Sequence, residues 1–192
     1  MTELVIAVLA TTCCLYLASA AAKLRGRRAY RSSRDALAQT GLVPPGLLPT
    51  MAAALAAGEA LVAAGTATAG VLTAVNTPSA AVVTFSALVL AIALTSILVL
   101  GVATVLRRGI SARCACFGAT SGRLLSKPHL VRNASLLSLL VAALVCAQRG
   151  HGQPAAADVA VAALAGGVIG LMLIRFDDLI SLLAPVSAKS AG

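Results

Sequence analysis

The residues most capable of chemistry are Cys114 and Cys116, which lie one residue apart in the stretch ARCACFGATSGR between two long apolar segments. A disulfide between them would close a small, strained ring. Strained disulfides are easily reduced, so the spacing suits thiol–disulfide exchange better than scaffolding. Arg113 and the other arginines of this loop favour the thiolate, which is the reactive form of cysteine. The pair is therefore predicted to exchange disulfides with a partner protein.

Two other interpretations of this pair are open. Cys114, Cys116 and His129 could hold a soft metal such as Cu(I), although a structural zinc site would need a fourth ligand and no second cysteine pair lies nearby. The two cysteines could also be small loop residues without a task. The other cysteines, Cys13, Cys14 and Cys146, are predicted to be packing residues. They are also the candidates for a second thiol station if the protein carries reducing equivalents across a membrane.

Glu59 is the third candidate, because it lies about 13 residues into an apolar segment. A carboxylate at that depth costs several kcal/mol unless it is protonated or paired. Lys23 and Arg132 are the candidate partners. Glu59 is expected to move a proton during thiol exchange or to orient a quinone headgroup, and the simpler alternative is an ion pair that holds helices together. Arg132 is a candidate for the same pocket, with snorkelling to lipid headgroups as the simpler alternative. Asn133, next to it, is expected to hydrogen-bond between helices.

The elements that must position these residues are membrane-spanning helices. The chain is 59% hydrophobic and only 11% charged, and no charged residue occurs between Glu59 and Arg107. A crossing needs about 20 apolar residues. Spans are predicted at 4–22, 46–74, 80–106, 128–148 and 156–174, with a turn at Asn76 and Pro78. The predicted fold class is an all-α polytopic bundle with a four-helix core plus one helix, forming a single domain over 1–192. Gly166 and Gly170 predict close packing of the fifth span.

The charges predict the topology of this bundle. Eleven of the fifteen Lys and Arg residues lie in the first and third loops. Because positively charged short loops stay in the cytoplasm, we expect the N-terminus outside and the C-terminus and the Cys114/Cys116 loop inside the cell (inner) membrane. The net charge of +9 is explained by this pattern, and with only 3% aromatic residues nucleic-acid binding is not expected. The first segment carries Glu3 and no early Lys or Arg, so it is expected to be an uncleaved helix rather than a signal peptide.

Several motifs resemble the MauE (methylamine utilisation) family of redox-associated membrane proteins, which is related to the DoxX-like group. They are RRGISARCACFG, the downstream HLVRNASLL, SAAAKLRGRRAY after the first span, and a Glu in the second. The resemblance runs over about 18–140, with Ala115 where Gly is more usual. The positions that match are Cys114, Cys116, Phe117, Gly118, Arg132, Asn133, Lys23 and Glu59.

The resemblance implies a small bundle that forms or transfers disulfides while exported proteins mature, commonly with a thioredoxin-like partner. If the protein is an enzyme, it is a thiol–disulfide oxidoreductase. A quinone is a possible cofactor only by analogy with vitamin K epoxide reductase-like bundles. The alternatives are a copper-handling membrane protein and a non-catalytic assembly factor. Maturation of exported proteins needs thiols on the outer side, whereas the charges place Cys114 and Cys116 inside, and transfer of reducing equivalents across the membrane would reconcile the two.

Overall fold

Apolar segments of membrane-spanning length dominate the architecture. The structure, a computed structural model, describes residues 1–112, 125–149 and 154–175. Over those residues it contains six α-helices, α1 (Thr2–Leu24), α2 (Arg27–Gln39), α3 (Leu48–Ala74), α4 (Ala80–Arg107), α5 (Lys127–Gln148) and α6 (Ala156–Ile174), with a 3₁₀ turn at Pro45–Leu47 and no strand. All but α2 are long and apolar enough to cross a membrane. The predicted all-α, multi-pass fold is confirmed, and each helix end lies within two residues of the predicted span.

The helix ends follow local sequence signals. At the end of α3, Asn76 takes a left-handed backbone conformation with φ of 51°, and the Thr77 N–H donates to the carbonyl of Leu72. This pattern satisfies carbonyls that would otherwise be left without donors at a helix end. Pro78 follows at once, so the predicted turn between α3 and α4 is confirmed. At the other end of the bundle, α5 begins with Pro128 in its first turn, where a proline costs no hydrogen bond.

The central helix of the bundle is α1. It packs against α3, α5 and α6, while α4 packs against α3 and α5. The helices α1, α3, α4 and α5 thus form a four-helix core, and α6 covers the outer side of α1. Large buried side chains such as Tyr16, Leu88 and Leu140 fill this core. The predicted arrangement of four helices plus one is therefore present, whereas the single domain over 1–192 stays a prediction.

Small residues bring α6 against α1. A Cβ atom added at Gly166 would lie 2.2 Å from the carbonyl oxygen of Ala7, and one added at Gly170 would lie 2.9 Å from Cβ of Cys14. Thr11 also donates a hydrogen bond of 2.9 Å to the Gly166 carbonyl oxygen. Only glycine permits this approach, so the predicted close packing at both glycines is confirmed.

The first basic loop contains a helix that the sequence analysis treated only as a topology signal. This helix, α2, packs against α3 and α1, and the Tyr30 hydroxyl donates a 2.8 Å hydrogen bond to the carbonyl of Pro49. Most of the basic residues of α2 line a cleft of about 420 Å³ beside the end of α1. The cleft is lined by Lys23, Leu24, Gly26, Arg27, Tyr30, Arg31 and Arg34. The chain therefore holds a cluster of cationic side chains where α1 ends.

Candidate functional site

A buried ion pair joins α1 to α3. Lys23, in the last turn of α1, donates to Oε1 of Glu59, which lies about 16 Å along α3 from its first residue. Only 8% of Lys23 and 2% of Glu59 are exposed. Of the two partners considered for Glu59, the structure pairs it with Lys23.

The Lys23 side chain turns back into the bundle to make this contact. Its ammonium also donates to Oγ of Ser19, one turn nearer the start of α1, at 3.2 Å. A lysine at the end of a membrane helix ordinarily extends towards the headgroups. Here the hydrogen bonds to Glu59 and Ser19 hold the ammonium inside the bundle, away from the headgroups. Ser19 was not among the expected site residues, although its spacing of four from Lys23 places both on one helix face.

Glu59 has a second oxygen that the pairing with Lys23 does not use. Oε2 is buried and has no hydrogen-bond partner among residues 1–112, 125–149 and 154–175. Buried polar atoms are nearly always hydrogen-bonded, and exceptions are frequent at functional sites. Oε2 can therefore accept a hydrogen bond or a proton.

A cavity of about 330 Å³ lies beside this ion pair, between α2, the first half of α3 and the last part of α4. Among the described residues, its wall is apolar except for Lys23, Glu59, Ser33 and Thr40. Ser33 belongs to α2 and Thr40 directly follows it, and Ser33, Ala36, Leu37 and Thr40 recur at helical spacing along the cavity. That spacing is the sequence signal that would have identified α2 as part of the site.

The predicted thiols, Cys114 and Cys116, lie outside the described residues, as do Phe117 and Gly118. The structure describes the residues on either side of this segment, Ala112 and Leu125. The Leu125 N–H donates a 2.8 Å hydrogen bond to the carbonyl of Ala112, and Leu125 lines the cavity beside Lys23 and Glu59. The segment that carries both cysteines therefore lies between two residues that are hydrogen-bonded to each other, one of which lines the cavity.

The start of α5 supplies three further buried polar residues, His129, Arg132 and Asn133. His129 Nδ1 forms a 2.9 Å hydrogen bond with Ser126 Oγ. Arg132 is only 3% exposed, so its guanidinium lies within the bundle rather than snorkelling to the headgroups. It donates through Nε and Nη2 to Oδ1 of Asn133 at 3.4 Å. Asn133 thus accepts from its own helix, and the expected hydrogen bond between helices stays a prediction.

Three cysteines lie in helices that the structure describes, and their predicted packing role stays a prediction. Cys13, Cys14 and Cys146 are free and partly buried, and α1 runs without interruption through Cys13 and Cys14. Cys146 packs against the apolar core. Within the described ranges no three His, Cys, Asp or Glu side chains come together as a metal site requires. The proposed metal ligands Cys114 and Cys116 are not in those ranges.

Comparison with known families identifies the chain. A family model described as methylamine utilisation protein MauE matches residues 1–147. The chain belongs to the MauE family. The match covers α1 to α4 and nearly all of α5, so the ion pair, the cavity and Arg132 lie within the MauE region and α6 lies beyond it. No curated protein and no solved structure matched.

Proposed function

We propose that this MauE-family protein is a membrane thiol–disulfide redox protein in which Cys114 and Cys116 exchange disulfides with a thioredoxin-like protein or with exported proteins as they mature. The observation that carries the proposal is the position of the segment bearing both cysteines. The two described residues that flank it, Ala112 and Leu125, are hydrogen-bonded to each other, and Leu125 lines the cavity beside Lys23 and Glu59. Membership of the MauE family supports the same assignment.

Chain geometry limits how far the first thiol can be from this cavity. Two peptide units separate Cys114 from Ala112, and an extended chain spans at most about 3.6 Å per residue. The Cα atom of Cys114 is therefore within about 7 Å of that of Ala112. Ala112 is fully buried and bonded to Leu125 in the cavity wall. This limit supports assigning the first thiol to the end of the bundle that holds the ion pair.

The exchange proceeds through a mixed disulfide. A thiolate of the pair attacks a disulfide of the partner, one partner sulfur leaves as a thiolate, and the second cysteine then displaces the other. The partner ends as a dithiol and Cys114–Cys116 as a disulfide, and the reverse sequence oxidises the partner.

Two buried groups support this chemistry in the proposal. Glu59, whose Oε2 has no hydrogen-bond partner among the described residues, accepts the proton that a thiol releases when it becomes the nucleophile. Arg132 supplies a buried positive charge at the helix that directly follows the cysteine segment, and a nearby cation favours the thiolate. From the charge pattern we expect this end of the bundle to lie in the cytoplasm. In that orientation, maturation of exported proteins requires transfer of reducing equivalents across the membrane.

Redox titration of the purified protein tests the proposal. Samples equilibrated at defined thiol potentials are treated with a maleimide and analysed by mass spectrometry. The pair should convert reversibly between a dithiol and a disulfide in the wild type and in Cys146→Ser, whose thiol packs against the core. The Glu59→Gln variant should titrate similarly yet exchange much more slowly with a thioredoxin-like protein. An unchanged exchange rate would remove Glu59 from the mechanism, and a pair that never forms a disulfide would overturn the proposal.

A further inference from the structure

We infer that the cavity between α2, α3 and α4 binds a membrane quinone, with the quinone ring beside Lys23 and Glu59. This inference rests on the proposed function, because the quinone would receive the electrons of Cys114 and Cys116.

The size and polarity of the cavity fit such a ligand. Small-molecule sites are typically clefts of about 300–1,000 Å³ that are mostly apolar, with a few polar groups that orient the ligand. The cavity has a volume of about 330 Å³, and the two charged groups that the described residues contribute to its wall, Lys23 and Glu59, are paired with each other. Because these two charges compensate, the polar part of the wall that the described residues form is close to neutral. It therefore suits an uncharged polar ring better than the phosphate of a phospholipid.

The cavity is open at a surface that contacts lipid. Leu42, Met51 and Ile97 belong to its wall and are 36%, 42% and 59% exposed. Ile97 lies within the membrane-spanning part of α4, so this opening faces the acyl chains. A ligand that reaches the site from the bilayer must be lipid-soluble, and a quinone with an apolar tail meets this requirement.

The ion pair has the hydrogen-bonding capacity that a quinone ring needs in both redox states. The Lys23 ammonium has three N–H groups, and within the described residues two of them are used, by Ser19 and Glu59. The third can donate to a quinone carbonyl. Glu59 can accept a hydrogen bond from the hydroxyl that forms when the ring is reduced.

The transfer balances in electrons and protons. Cys114 and Cys116 lose two electrons and two protons as their S–S bond forms. The quinone gains two electrons and two protons and becomes a quinol. Glu59 accepts a thiol proton and passes one to a ring oxygen, and the quinol leaves through the opening to the lipid.

A glycine in the cavity wall permits a sharp test. A Cβ added at Gly101 would have no atom within 4 Å, and the same holds at Gly70 of α3, which does not line the cavity. Gly101→Leu should therefore fill the cavity without disturbing the backbone, and Gly70→Leu is the matched control. Equilibrium dialysis of a short-tailed ubiquinone analogue against purified protein should show affinity reduced at least about tenfold in Gly101→Leu and unchanged in Gly70→Leu. Equal affinity in the two variants would overturn the inference.

A second measurement uses the wild-type protein and needs no variant to fold. Photolysis of an azidoquinone bound to the protein should place adducts on cavity residues such as Met51 and Ile97. Adducts confined to the outer face of α6 would contradict the site.

Replacing both Cys114 and Cys116 by serine should leave quinone binding intact and abolish quinol formation. A wild-type protein that titrates as a dithiol but binds no quinone would refute this inference and leave the proposed function standing.

Discussion

Removal of the Lys23 ammonium is expected to destabilise the protein by about 3–5 kcal/mol, because it leaves a buried carboxylate without its counter-charge. Glu59 is only 2% exposed and lies far from either end of α3, so its carboxylate is buried in the bundle. In Lys23→Met the carboxylate must remain buried as an unpaired charge or take up a proton. The apolar stem of methionine preserves the packing of the lysine side chain. The decrease in the free energy of unfolding therefore reports the effect of removing the charge.

Glu59→Gln is expected to cost less, about 1–2 kcal/mol. Glutamine keeps the volume and can still accept a hydrogen bond from Lys23. The lysine also has an alternative that the glutamate lacks. It lies in the last turn of α1, so its ammonium can extend to the headgroups once Glu59 no longer holds it. The two single variants should therefore differ in a fixed order, with Lys23→Met the more damaging.

The double variant Lys23→Met with Glu59→Gln completes the cycle. Since neither charge remains, it should be more stable than Lys23→Met alone, and the coupling energy should be at least about 2 kcal/mol. Unfolding of the four proteins in mixed detergent micelles, followed by circular dichroism at one protein concentration, gives the required free energies. Additivity within about 0.5 kcal/mol, or a Glu59→Gln variant less stable than Lys23→Met, would refute this account of the ion pair.

Two further predictions each compare a variant with a matched control on the same helix. Gly166→Ala should destabilise the protein by about 1–3 kcal/mol, because its Cβ would collide with the backbone of α1, whereas Gly167→Ala has open space at its Cβ and should be neutral or slightly stabilising in thermal unfolding. Arg31→Gln should weaken retention of anionic phospholipid in native mass spectrometry by about 1 kcal/mol, because Arg31 lines the basic cleft. Arg28→Gln, which removes the same charge outside the cleft, should have a smaller effect, and equal losses would show that only net charge matters.

The spans were predictable from the sequence because their signal is local. Each crossing needs an uninterrupted apolar length, and the charges, Pro78 and Pro128 mark where helices stop or start. The contact of α6 with α1 was also visible, since Gly166 and Gly170 are spaced one helical turn apart. Helix α2 was not predicted because its arginines already had an explanation as topology signals. The helical spacing of Ser33, Ala36, Leu37 and Thr40, which runs along α2 to the residue after it, indicates a site only once the cavity is known.

The site was predictable in part. A carboxylate in an apolar segment requires a partner wherever the helix lies, so Glu59 was identified from the sequence alone. Its partner depended on packing, because Lys23 lies at the end of α1 and reaches Glu59 only by turning back towards Ser19. The cavity arises from α2, α3 and α4 together, which no pattern within one helix encodes. The exchange by Cys114 and Cys116 stays a prediction.

Covalent trapping of a partner tests the central proposal most directly. In a Cys116→Ser variant, a mixed disulfide formed by Cys114 cannot be resolved within the pair, and the converse holds for Cys114→Ser. The account predicts that one of these variants accumulates a reductant-sensitive adduct with a thioredoxin-like or exported protein, linked at the remaining cysteine of the pair. Cys146→Ser, with both cysteines intact, should accumulate none. If neither variant traps a partner, or if the trapped cysteine is Cys13, Cys14 or Cys146, the assignment of the exchanging thiols is contradicted.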